Sequence, residues 1–210
     1  VKFRLGGITD MNENKDLTCF TIGHSNRSIE SFIELLKIHN IDCLIDVRSV
    51  PYSKFHPQFN KELLTESLKK ESILYLYMGD LLGARHSEPN LLYPDGKVDF
   101  RKVRETQKFK SGIDRVIQGI NKKYNIVLMC AEKNPMDCHR FVLISYELEK
   151  KGVSVNHIID ANSIVTNNDE EKLLIEKYYK NVQQTTMFEP SLNKQEMIED
   201  VYERRNKEIL

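Results

Sequence analysis

The stretch NIVLMCAEKNPMDCHRFVLISYELEKKGVSVNHII, residues 125–159, decides the fold class. Asn125–Cys130 is a continuous apolar run of strand length, and Val153–Ile159 reads as another strand. Between them Phe141, Ile144 and Leu148 keep the helical period, and Gly152 stands at the position where helices close in the left-handed conformation. A strand, a helix and a second strand, with strands apolar on both faces, call for a parallel sheet covered by helices on both sides.

The same alternation extends toward the N-terminus. DLTCFTI (Asp16–Ile22), IDCLIDV (Ile41–Val47) and SILYLYM (Ser72–Met78) are further strands. Ser28 caps a helix that carries Ile29, Phe32, Ile33 and Leu36. A second helix opens at Asn60 and turns Leu63, Leu64 and Leu68 inward. A third helical pattern begins near Asp99, breaks around Ser111–Gly112, and resumes through Ile113, Val116, Ile117 and Ile120. Beyond Asp160 the chain is polar, with amphipathic helices in EEKLLIEKYY and KQEMIEDVYERR and no strand. The expectation is an open, mostly parallel, Rossmann-like α/β sheet over residues 17–160. A helical extension over 161–210 is expected to pack on it.

Composition fits this reading. The chain of 210 residues is 40% hydrophobic and 30% charged, the balance of a soluble globular protein. A core of ordinary size needs no metal or disulfide staple. Thirty-one basic and thirty-one acidic residues cancel, so net charge implies no nucleic-acid partner. No run reaches the roughly 18 apolar residues of a membrane helix, and the polar start shows no signal peptide. Four cysteines do not make a disulfide framework; reduced thiols and a cytoplasmic location are expected.

In open α/β sheets ligands bind beyond the carboxyl ends of the strands. Those ends carry His24 and Ser25, Asp46 and Arg48 with Ser53 beyond them, and Cys130 with Glu132. His157 lies near the end of the fifth strand; Arg85 and His86 follow the third. His24, Asp46, Arg48, Cys130, Glu132 and Arg140 are therefore expected to line one pocket. His24 is a candidate general base or a loop histidine bonded to its own backbone. Asp46 and Arg48 point the same way along a strand and are expected to form a partly buried pair. Cys19 and Cys43 read as core thiols and His39 as structural.

Cys130–Arg140 holds two thiols, an acid, an imidazole and a guanidinium. With Asp137 as N-cap, Cys138, His139 and Arg140 occupy a first helical turn, where the dipole favours an anion and lowers a thiol pKa. Arg140 then pairs with Glu132, Asp46 or an anionic ligand. The alternatives are a structural Arg140 and a packed Cys138. Zinc sites usually show C-x(2–4)-C or H-x(3–5)-H pairs, and Cys130, Cys138 and His139 lack that spacing. No metal or other cofactor is therefore expected. A phosphatase-like loop also fails, because the position six after Cys130 is Met136. Between Val47 and Lys61 there is no acid. Arg48, Lys54, His56 and Lys61 alternate there with Tyr52, Phe55 and Phe59, a pattern that suits nucleotides or single strands.

TIGHSNRSIESFIELL, DVRSVPYSKFHPQFN, YLYMGDLLGAR and LMCAEKNPMDCHR together resemble the bacterial and archaeal family called domain of unknown function 488, over about Thr21–Ile158. The resemblance places motif positions on His24, Ser25, Asp46, Arg48, Pro51, Ser53, Cys130, Glu132, Cys138, His139 and Arg140. Ala84 stands where a second glycine is common. The family implies a fold and a site but no established reaction. The function expected is an enzyme on a small anionic, nucleotide or phosphorylated substrate. His24, Cys130, Glu132 and Cys138 would be its catalytic groups, and Ser25, Asp46, Arg48, Ser53, His139 and Arg140 its anion-binding groups. The alternatives are a nucleic-acid module and a metal or redox sensor.

Overall fold

A computed structural model describes residues 17–179 and 193–209. The stretch 1–16, read above as free of a signal peptide, lies outside the described residues, as does 180–192 of the C-terminal extension.

Six strands form one sheet: β1 (Leu17–Gly23), β2 (Cys43–Asp46), β3 (Leu74–Tyr77), β4 (Ile126–Cys130), β5 (Val153–Asp160) and β6 (Ser163–Thr166), in the order β3-β2-β4-β1-β5-β6. All pairings are parallel except β5–β6. The open, mostly parallel α/β sheet is thus the observed fold. β6 corrects the expectation of no strand beyond Asp160. It is an antiparallel edge strand whose residues alternate between half-buried and exposed, so it lacks the continuous apolar run of an inner strand.

Side chains alternate across the sheet. Ile22, Leu44, Val127, Met129 and Ile158 face α1 (Ile29–Ile38) and α2 (Lys61–Lys70), whose Phe32, Leu36, Leu64 and Leu68 are buried against them. Ser28 caps α1 as expected, accepting from the Ser31 amide at 3.2 Å. Leu63 is 48% exposed, because the apolar face of α2 covers only Leu64 and Leu68.

The opposite face packs on α5 (Gln107–Asn121), on the segment after β4, and on helices of the extension. Between β3 and α5 lie α3 (Gly79–Leu82) and α4 (Phe100–Glu105). The helical break falls at Thr106, not at Ser111–Gly112. Thr106 accepts from the Phe109 amide and so starts α5, while Gly112 lies inside α5 at a position where a Cβ would meet Leu82 at 2.8 Å.

After β4 come a 3-10 turn (Pro135–Asp137), a π-helical segment (Arg140–Ser145) and α6 (Tyr146–Lys150). In the extension, α7 (Asn167–Tyr179) and α8 (Lys194–Ile209) put Leu174, Val201 and Tyr202 into this same core. The chain leaving β1 crosses one face toward β2, and the chain leaving β4 crosses the other toward β5. The crevice between the carboxyl ends of β1 and β4 is therefore a topological switch point, where such folds bind ligands.

Candidate functional site

A pocket of about 860 Å³ opens at that switch point, a size that suits a nucleotide or similar small molecule. His24, Arg48, Cys130, Glu132, Cys138 and His139 line its inner part. Gly23 lets the end of β1 approach the loop after β4, since a Cβ there would sit 1.7 Å from the Glu132 carbonyl oxygen.

At the end of β2 the expected pair is present. Arg48 is 6% exposed and donates from Nε to Asp46 Oδ1 at 2.9 Å and from Nη2 to Oδ2 at 2.6 Å. Tyr75 also donates to Asp46, at 2.8 Å. Arg48 Nη2 donates to the Phe59 carbonyl at 2.7 Å and Nη1 contacts His24 Nε2 at 3.2 Å. Of the five N–H groups of a guanidinium, one on Nη1 has no partner among the described residues.

Arg48 has no lone pair, so His24 Nε2 is the acceptor and Nδ1–H donates to the Ser25 carbonyl at 2.8 Å. His24 also stacks on Phe59 at 4.4 Å. Burial brings its pKa down to about 4, against the hydrogen bond to Ser25 and with help from the Arg48 charge. Its lone pair is engaged and it is a neutral wall of the pocket, bonded to its neighbour's backbone.

The floor is formed by Cys130, Cys138 and His139. His139 Nε2 lies 3.1 Å from the Val47 carbonyl, which can only accept, so Nε2 carries a proton and Nδ1 faces inward. Nδ1 lies 3.6 Å from Cys130 Sγ and 3.8 Å from Cys138 Sγ. Cys130 Sγ also donates to Glu132 Oε2 at 3.1 Å. Hydrogen bonding to Cys138 and burial push the Cys130 thiol well up. Burial acts the same way on Cys138, but the bond from Cys130 and the Arg140 charge bring that thiol well below its ordinary value. Burial and the charge on Cys138 raise Glu132.

Two expectations for this loop are corrected. Asp137 is not an N-cap: it ends a 3-10 turn capped by Asn134, and its carboxylate pairs with Arg205 of α8. Cys138 is the extended residue before the helix, and its carbonyl accepts from the amides of Phe141 and Val142. Arg140 does not line the pocket, and among the described residues it forms no ion pair with an acid. It is 0% exposed and donates to the carbonyls of Glu132 at 2.7 Å and Lys133 at 2.9 Å, and to Thr21 Oγ1 at 3.3 Å. The guanidinium is drawn under the loop because those carbonyls turn inward there without ladder partners.

Asp46 lies behind the pocket wall rather than on it. Ser25 and Ser53 do line the pocket. Ser25 is held at φ 52 while its amide donates to the Ala131 carbonyl at 2.8 Å; Ser53 accepts from the His56 amide at 3.1 Å. His157 is buried away from the pocket between Thr21 and Asn167. Cys19 and Cys43 are core thiols, and His39 closes α1. Sequence reasoning missed Lys133 and Ile209 as lining residues. Ile209 had no readable signal, since nothing in α8 says which part of the sheet it crosses. The basic and aromatic loop did signal Tyr52 and His56.

Neither the curated proteins nor the solved structures contain a match to this chain. A family model matches residues 28–147, more than half of the chain and narrower than the resemblance above, since it starts after His24 and Ser25. It includes the Asp46–Arg48 pair and the whole Cys130–Arg140 loop, and the chain belongs to the family "Domain of unknown function DUF488".

Proposed function

We propose that this protein is an enzyme acting on a small ligand with an anionic group, bound in the switch-point pocket. One observation carries the reading: two cysteine sulfurs, an imidazole nitrogen and a carboxylate converge on the floor of a nucleotide-sized pocket. Buried constellations of this kind are typical of sites that move protons or hold reactive atoms. Glu132 is the proton-moving group, because the His24 lone pair is taken. The Nη1 donor of Arg48 that has no partner among the described residues, with Arg85 and Lys133 at the rim, supplies the attraction for an anion.

The test is a thermal-shift series with inorganic phosphate and nucleoside phosphates, followed by turnover of whichever compound binds. A ligand at about a hundred times its Kd adds about 2.7 kcal/mol. Arg85→Ala should cut that shift, while Cys138→Ser should keep it and lose turnover. No shift from any small anion, or an unchanged shift in Arg85→Ala, sinks the reading.

A second reading is favoured by Tyr52, 66% exposed, and Phe55, 86% exposed, beside Lys54. Such a rim suits stacked bases of a single strand. Binding of oligonucleotides with a steep salt slope would select it over the small-ligand reading.

A further inference from the structure

We propose that Cys130, Cys138 and His139 bind a borderline-soft divalent cation of the zinc class, with the remaining coordination position turned toward the pocket. Their three donor atoms all lie within 4.8 Å of one another. A tetrahedral site with metal–sulfur distances of about 2.3 Å and metal–nitrogen of about 2.0–2.1 Å has S···N edges of about 3.5–3.6 Å. The observed separations are 3.6 and 3.8 Å, close to those edges before any ion draws the donors in.

Hydrogen bonding alone accounts less well for this packing. Neutral or protonated, Nδ1 has a single lone pair or a single proton to share with one sulfur, yet two sulfurs stand almost equally near it. A metal satisfies all three donors at once. The outer shell is also in place: His139 Nε2–H is held by the Val47 carbonyl at 3.1 Å, which fixes the tautomer and aims Nδ1 inward, as ligating histidines require. The sequence objection concerned spacing. It fails because the loop between β4 and the helical segment returns on itself, bringing the adjacent Cys138 and His139 over the end of β4. Glu132 stands beside Cys130 but outside the compact set. All three donor residues line the pocket, which gives the ion an entry path and leaves a position for a water or a ligand atom. What that open position does rests on the enzymatic reading above; the binding of the ion does not.

The experiment uses the full chain loaded with Zn²⁺ or Co²⁺ under competition from a chelator. One equivalent of metal should bind, and the cobalt form should show thiolate-to-metal charge-transfer absorption. Adding azide should shift the cobalt spectrum. Cys130→Ser, Cys138→Ser and His139→Ala should each weaken binding by at least about 100-fold, the upper range for loss of a mere outer-shell partner. Cys43→Ala should change nothing. The wild-type cobalt spectrum needs no variant, so it decides the matter if a substitution fails to fold. Failure to retain metal, a spectrum without sulfur charge transfer, variants that bind as wild type, or recovery of Cys130 and Cys138 as a disulfide would each overturn the site. A spectrum unmoved by azide would overturn the open position. Bound metal with no ligand response in the pocket would leave the site standing and remove the enzymatic reading.

Discussion

Arg48 and Arg140 are both buried at the carboxyl edge of one sheet, yet they are satisfied in opposite ways. Arg48 meets a carboxylate two residues back on the same strand, bidentate, with Tyr75 and Phe59 completing the network. Among the described residues Arg140 meets two backbone carbonyls and a hydroxyl. The first neutralises a charge; the second organises a loop. An acid in the same motif does not decide which of these an arginine does, because Glu132 is offered to Arg140 in sequence but gives it only its carbonyl. Each arginine also acts on a buried neutral histidine, Arg48 on His24 and Arg140 on His157.

The comparison breaks most visibly by removing Arg140. Arg140→Met strands two carbonyls, at about 1–3 kcal/mol each, and leaves Thr21 with its bond to His157, so a loss of about 3–6 kcal/mol is expected in urea unfolding. The 131–139 loop should gain proteolytic sensitivity. A loss under about 2 kcal/mol would show that the loop holds itself. Arg48→Met should cost about 3–5 kcal/mol by leaving Asp46 unpaired. Here the contrast sharpens: adding Asp46→Asn should restore most of that loss, whereas no side-chain change can rescue Arg140, whose partners are mainly backbone.

Next in size is acid sensitivity. Burial, with the Arg140 charge, brings His157 down to about 3. The unfolded imidazole takes a proton near pH 6.5 while the folded one resists it, so this contribution is complete above about pH 6.5 and is lost as pH falls toward 3. At pH 5 the loss is about 2 kcal/mol, and His157→Gln should flatten that limb of a stability–pH curve. An unchanged limb would mean that His157 accepts its proton in the folded state. The smallest effect is expected at Asp137. With its role as a partner of Arg205 rather than a cap, Asp137→Asn should cost less than about 1 kcal/mol, and the loss should vanish in high salt.

Much of the fold was legible because inner strands announce themselves. Leu44, Val127 and Met129 belong to runs apolar on both faces. The Asp46–Arg48 pair was legible too, since a strand fixes the direction of residues two apart. β6 escaped because an edge strand is half polar. The reading of Asp137 failed because Pro135 and Asp137 begin and end a 3-10 turn, and the helix starts only after an extended Cys138. The proximity of Cys130 to Cys138 and His139 could not be read, because spacing along a chain does not report a loop that doubles back.

The π-helical segment also has a consequence for how α6 is clocked about its own axis. Its wide turn is pinned by Ser145 Oγ on the Arg140 carbonyl at 2.7 Å. Every residue after it inherits the resulting phase, including Tyr146, whose ring stands 4.6 Å from that of Tyr202. One residue is about 100° of rotation in an α-helix. Inserting a further position between 140 and 145 would therefore turn Tyr146 away from Tyr202 and Leu148 out of the core, whereas deleting one would let the wide turn close to an α-turn and keep that phase. The register of this one segment joins the loop that carries the thiols to the helix that carries Ile209.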